Sequence, residues 1–199
     1  MKKEILMTEE PLEIRAGTET EPAQISGYAI KFNTETKIGG YFRESIKPEA
    51  VADDIQSQDV RALWNHNSDF PIGRTKNDSL KLEKDALGLR FTITPPDTSW
   101  GRDALESVRR GDVSGMSFGF FVKADKWSQQ DKPLPLRELL EIELLEVSPV
   151  TFPAYPSTSA KVRSAEEVLS EMPLPPAGVN IDADKRQREI EILEMEAKS

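Results

Sequence analysis

The chain has 199 residues, 37% of them apolar and 31% charged, with a net charge of −9. It holds no cysteine and one histidine, which excludes disulfides, thiolate catalysis, cysteine-built zinc sites and multi-histidine metal centres. The length fits one domain of about 100–150 residues plus a tail. The acidity, without a long cluster of Lys and Arg, argues against nucleic acid as a partner.

No apolar run approaches the ~20 residues that cross a bilayer. The opening MKKEILMTEEPLEIRAG develops no apolar stretch of the secretory-signal kind. The expectation is a soluble intracellular protein with no membrane partner. Residues 1–24 read as an N-terminal extension.

The first alternating run is Tyr28, Ile30 and Phe32. Pro48 suits the first turn of a helix carrying Val51 and Ile55 at i, i+4. Val60, Ala62 and Trp64 alternate next, then Leu80 and Leu82, then Leu87, Leu89, Phe91 and Ile93. A second helix is predicted from Trp100 to Arg110, capped by Ser99 and stopped by Gly111. Its apolar face is Trp100, Ala104, Leu105 and Val108. Met116, Phe118, Phe120 and Val122 alternate, and so do Leu140, Ile142 and Leu144.

Period-two runs separated by Gly, Pro, Asn and Asp indicate half-buried strands. About six strands with two or three helices predict a mainly β, α+β domain over residues 25–164: a β-barrel or curled sheet with helices outside. From Ala165 to Ser199 nine acids face four bases, and Pro173 to Gly178 reads PLPPAG, which sits in no helix interior or central strand. Beyond it, Ile190, Leu193 and Ala197 give a short helix a thin apolar stripe, marginal without a partner. Residues 165–199 therefore read as an acidic, flexible tail.

Three residues could carry chemistry. His66 ends the Val60–Asn65 run, and by parity it joins the buried face of Val60, Ala62 and Trp64. An imidazole at the rim of a core can be oriented as a general base; a structural histidine bonded under a loop fits the spacing too. In the stretch Val113 to Phe121, Met116, Phe118 and Phe120 share one face, and Ser117 and Gly119 share the other. Small residues there leave room for an approaching group, as a nucleophilic serine needs; a strand lying close to another backbone needs the same. Ser114 falls on the apolar parity.

Glu146 falls in parity with Leu140, Ile142 and Leu144, facing the core. A buried carboxylate requires a partner. A histidine N–H would complete the order carboxylate–histidine–serine. The alternatives are a bulge that turns Glu146 to solvent, or a salt bridge to Arg74, Arg90 or Arg102. The sequence has no G-x-S-x-G elbow, phosphate loop or dinucleotide fingerprint, so no cofactor or metal is expected.

Several segments in order resemble the prohead protease family of tailed bacteriophages. They are GYAIKFN (Gly27 to Asn33), FRESIKPEA (Phe42 to Ala50), ALWNHN (Ala62 to Asn67) and PIGRT (Pro71 to Thr75). LKLEKDALGLRF (Leu80 to Phe91), GRDALESVRRGDVSGMSFGF (Gly101 to Phe120) and LLEVSPVTFPAYPST (Leu144 to Thr158) follow. The resemblance implies the fold of the herpesvirus assembly protease, a small β-barrel ringed by helices. It also implies a serine endopeptidase of capsid maturation, acting inside the procapsid in the host cytoplasm.

On that resemblance the substrates are the scaffolding segment of the major capsid protein and the enzyme itself. The portal and other procapsid proteins come within reach, and a homodimer is expected by analogy. The family's histidine falls on His66, its serine on Ser117, and an acidic residue of the L-x-E-V-S stretch on Glu146. The herpesvirus enzymes use a second histidine as third member, which this chain lacks. The competing reading is an inactive assembly or scaffold-binding protein of the same fold.

Overall fold

The computed structural model describes residues 3–8, 11–38, 40–128, 134–151 and 168. Eleven strands and one α-helix lie among them. The strands are β1 (Glu4–Thr8), β2 (Glu13–Arg15), β3 (Gln24–Lys31), β4 (Thr36–Ile38), β5 (Phe42–Ile46), β6 (Arg61–Trp64), β7 (Asn67–Arg74), β8 (Leu80–Lys84), β9 (Gly88–Ile93), β10 (Gly115–Ser128) and β11 (Leu136–Val150). The helix α1 (Ser99–Arg110) separates β9 from β10.

They form two sheets. One runs β1-β10-β11-β5-β4, with β6 also paired to β11 and β7 to β6; the other runs β2-β3-β9-β8. The first is mixed, since β5 and β6 both join β11 in parallel. Buried apolar residues from both sheets form one cluster, including Ile30, Phe91, Phe118, Phe120, Leu144 and Val147. The mainly β character matches the expectation from alternation.

The closed barrel does not: the pairings among the described residues give two sheets and close no ring. Nor do helices surround them among the described residues. Pro48 opens only a three-residue 3-10 turn, Pro48–Ala50, because Val51 returns to extended backbone (φ −101°, ψ 124°). A second such turn covers Ile55–Ser57. Val51 and Ile55 are nonetheless both buried, so their apolar character reports the core rather than a helix. Leu87 is 60% exposed because it sits in the turn before β9.

The helix α1 is where periodicity placed it, and Ala104 and Val108 are buried. Its cap is Thr98 rather than Ser99: Thr98 holds the extended cap backbone and its hydroxyl accepts from the Gly101 N–H at 3.2 Å. Gly111 ends the helix at φ 80°, left-handed backbone that favours glycine. Thr98→Ala is expected to lower stability by about 1 kcal/mol, read as a lower urea midpoint with unchanged slope.

β1 and β2 lie in the stretch expected as an N-terminal extension, and both are sheet strands. β1 runs antiparallel along the outer side of β10, and β2 pairs with β3. The tail from Ala165 lies outside the described residues except for Val168, which is buried.

A buried ion cluster joins β1 to the sheet. Arg137, 2% exposed, bonds Glu4 of β1, Glu44 of β5 and Asp125 of β10. Burial pushes the Glu44 carboxyl up to about 7; Arg137 opposes that rise, and the charges of Glu4 and Asp125 add to it.

The folded state then binds more protons than the unfolded one between about pH 4.5 and 7. This contribution to stability is full below 4.5 and is lost as pH rises through 7. The loss is on the order of 3 kcal/mol at about 1.4 kcal/mol per pKa unit. Glu44→Gln is expected to flatten that part of the stability profile, measured by urea unfolding from pH 4.5 to 7.5. Parallel profiles for the two proteins would contradict the assignment.

Candidate active site

β6 and β7 form a hairpin closed between Trp64 and Asn67. The two residues between them, Asn65 and His66, have φ 49° and 59°. Two positive-φ residues are what a tight type I′ hairpin turn demands, and Asn and His are among the side chains that tolerate it. The turn is tied back by Asn65, whose N–H donates to the Pro149 carbonyl at 3.1 Å and whose Oδ1 accepts from the Thr151 N–H at 3.1 Å. His66 is thus placed by a turn, and strand parity does not govern where its ring points. Asn67, Ser68 and Asp69 then begin β7.

Glu146 lies on the face of the sheet away from the apolar core. In the pairing of β10 with β11, Gly119 faces Glu146 but Phe120 faces Leu144, so Leu145 is an extra residue in β11. This bulge shifts parity by one. Leu144 and Val147 both point into the core, and Glu146 joins Gly119, Ser117 and Ser148 on the opposite face. The expected core-facing parity of Glu146 is therefore wrong, and the bulge is the reason. The carboxylate is still buried, because other groups cover it.

Those groups are specific. His66 Nδ1 lies 2.7 Å from Glu146 Oε1, Lys3 Nζ donates to the same oxygen at 2.8 Å, and Ser148 Oγ donates to Oε2 at 2.5 Å. Burial pushes the Glu146 carboxyl up; the His66 hydrogen bond and the charges of His66 and Lys3 outweigh it and hold the group below its usual range. An ionised carboxylate only accepts, so the proton of the Nδ1 bond belongs to the imidazole. That fixes the tautomer with Nε2 free to take a proton. The alternatives of a solvent-facing Glu146 or a bridge to Arg74, Arg90 or Arg102 do not occur. Arg74 pairs with Asp59 and Arg102 with Asp97.

Ser117 sits opposite Ser148 in register and is fully buried. Its cover is β1, in which Met7 faces Ser117. Ser117 Oγ donates to the Leu6 carbonyl at 2.8 Å. A serine hydroxyl therefore touches the carbonyl of an extended peptide strand, on the same sheet face as the carboxylate that holds His66.

Gly119 supplies the space: a Cβ there would come within 2.1 Å of Lys3 Cε and 2.5 Å of Glu146 Oε1. Gly119→Ala is expected to displace Lys3 and disturb the Glu146–His66 pair at a small stability cost, read as a shift of the His66 ring signals in NMR. Unchanged His66 signals would contradict it.

The three residues singled out from sequence converge on one face through β10, β11 and the β6–β7 turn. Ser148 and Lys3 were missed. Ser148 follows Glu146 by two, the strand period, which could have marked it; no sequence signal links Lys3 to residue 146. Arg137, also missed, anchors the strand that covers Ser117.

The chain is similar in sequence and in fold to known proteins. It is 32% identical over 131 residues to the prohead protease of Enterobacteria phage HK97, which covers 64% of this chain and 54% of that relative. The chain thus spans about half the length of the curated relative it matches. The solved structure of the bacteriophage T4 capsid assembly protease is similar in fold, with TM-score 0.54 at 14% identity over 76% of this chain and 98% of that one. A family model described as caudovirus prohead serine protease matches residues 10–171. On that match, which takes in His66, Ser117 and Glu146 alike, the chain belongs to the caudovirus prohead serine protease family.

Proposed function

We propose that this chain is a serine endopeptidase of procapsid maturation, with Ser117 as nucleophile, His66 as general base and Glu146 as the group that orients the imidazole. The observation that carries the reading is the placement of β1. An extended peptide lies antiparallel on the strand of Ser117, with a carbonyl 2.8 Å from Oγ, while His66 is fixed through Nδ1 by Glu146.

In the first step Ser117 Oγ bonds to a substrate carbonyl carbon and its proton passes to His66 Nε2. Collapse breaks the C–N bond, and the same proton leaves with the amine. Water then attacks the ester, gives its proton to His66, and the acid departs as Ser117 recovers its hydrogen. Base catalysis of this kind contributes ~10²–10⁴-fold. Glu146 stabilises the imidazolium throughout. No cofactor or metal takes part in these steps.

The substrates proposed are the scaffolding segment of the major capsid protein and the chain itself, with portal and other procapsid proteins as further candidates. The enzyme acts inside the procapsid in the host cytoplasm. Residues 25–164 would form the catalytic domain. The acidic tail, 165–199, would tether it to scaffold or shell.

One observation favours a second reading, an assembly protein without chemistry: Ser117 is fully buried beneath β1. Co-expression with uncleaved major capsid protein separates the two. Trimming by the wild-type chain and none by Ser117→Ala supports the protease; trimming by both proteins supports the assembly role, with the cut made by another enzyme.

A further inference from the structure

We propose that Arg137 determines specificity, taking an acidic side chain two residues before the residue whose carbonyl faces Ser117, so that the preferred sequence is acid–any–apolar before the cut. The proposal rests on the protease reading. Any other peptide that reaches Ser117 must replace β1 and inherit the contacts that β1 makes.

Those contacts alternate along the strand. Glu4, Leu6 and Thr8 share one side of β1. Leu6 packs against the core, and Thr8 Oγ1 donates to the Ala29 carbonyl at 2.7 Å. Glu4 is gripped by the guanidinium fork, with Arg137 Nη1 to Oε2 at 2.7 Å and Nη2 to Oε1 at 3.3 Å. A buried guanidinium that meets a carboxylate through two nitrogens reads its planar shape as well as its charge.

The other bonds of Arg137 come from the body of the fold: Nε donates to Asp125 at 2.6 Å and Nη1 to Glu44 at 2.9 Å. The guanidinium is thus held in place from one side and presents the remaining side to the strand in the cleft. Main-chain pairing to β10 supplies sequence-independent affinity, and pockets for alternate side chains supply choice, the usual division when a peptide adds to a sheet edge. The family match starts at residue 10, so β1 itself lies outside it. The groove, with Arg137, lies inside.

A site built to bond a group discriminates strongly against an analogue that leaves its own buried donors unpaired. The test uses the full-length chain and ten-residue peptides copying residues 1–10, MKKEILMTEE, with Glu, Gln or Lys at the fourth position. Cleavage between the leucine and the methionine is followed by mass spectrometry, alongside self-cleavage of full-length Glu4→Gln at its own Leu6–Met7 bond.

The expected result is a kcat/KM at least tenfold lower for Gln and lower again for Lys, with slowed self-cleavage in Glu4→Gln. Equal rates across the three peptides would overturn the subsite while leaving the protease reading intact. If no peptide and no chain is cut, the protease reading fails, and hydrogen exchange decides the groove separately. In the Ser117→Ala chain, Glu4→Gln should speed exchange at the β1 amides at least tenfold. Unchanged exchange would overturn the proposal.

Discussion

On the protease reading, Ser117→Ala is expected to abolish peptide cleavage by the purified chain, with kcat reduced by about a million-fold, the order seen when a triad serine is removed elsewhere. The hydroxyl is the only part of the side chain lost. Among the described residues it makes one hydrogen bond, to the Leu6 carbonyl, worth about 1 kcal/mol of stability. The variant therefore folds, and its urea midpoint stays close to that of the wild-type chain while its turnover disappears. Retained activity would remove Ser117 from the mechanism and leave Ser114, two residues before the buried Met116, as the next candidate.

Glu146→Gln is the second large effect, a fall in kcat of about 10⁴ with the geometry kept, as when the orienting carboxylate of a triad becomes an amide. The amide no longer holds the proton on His66 Nδ1 and no longer offsets the charge that forms on the ring. It also removes the negative charge that Lys3 pairs with. Stability moves too.

A carboxyl held below its usual range in the folded state contributes stability above its unfolded value and loses it as pH falls through the folded one. Glu146→Gln is therefore expected to be less stable than the wild-type chain near pH 7, with the difference shrinking in acid. A variant equally active, or one whose stability gap widens in acid, contradicts the assigned role.

The strands around the site were legible because their side chains alternate between a packed face and a free one. Met116, Phe118 and Phe120 point inward, which by itself puts Ser117 and Gly119 on the other side of β10. Parity failed where the backbone departs from a regular ladder. The extra residue Leu145 moves Glu146 off the core face. Likewise the left-handed turn at Asn65 and His66 aims the imidazole by turn geometry.

Each of these departures involves a residue of the candidate site. Bulges and positive-φ residues gather at such places because they re-aim side chains. The role of β1 was illegible for a different reason. Residues 4–8 read EILMT, with three apolar residues in succession and no alternation. Its partners are β10 and, through Glu4, Arg137, more than a hundred residues away. Nothing local to either segment announces that contact. The missing barrel has the same origin, since which strand edges meet is decided by long-range pairing.

Where an acyl group lands identifies the nucleophile. The full-length chain is mixed with a peptide ester, quenched in acid within the first turnover and digested with trypsin. The fragment from Gly111 to Lys123, which contains both Ser114 and Ser117, is then sequenced by mass spectrometry. One acyl adduct is expected, on Ser117, absent from Ser117→Ala and scarcely formed by His66→Ala. An adduct on another residue, or turnover of the ester with Ser117 unmodified, would contradict it.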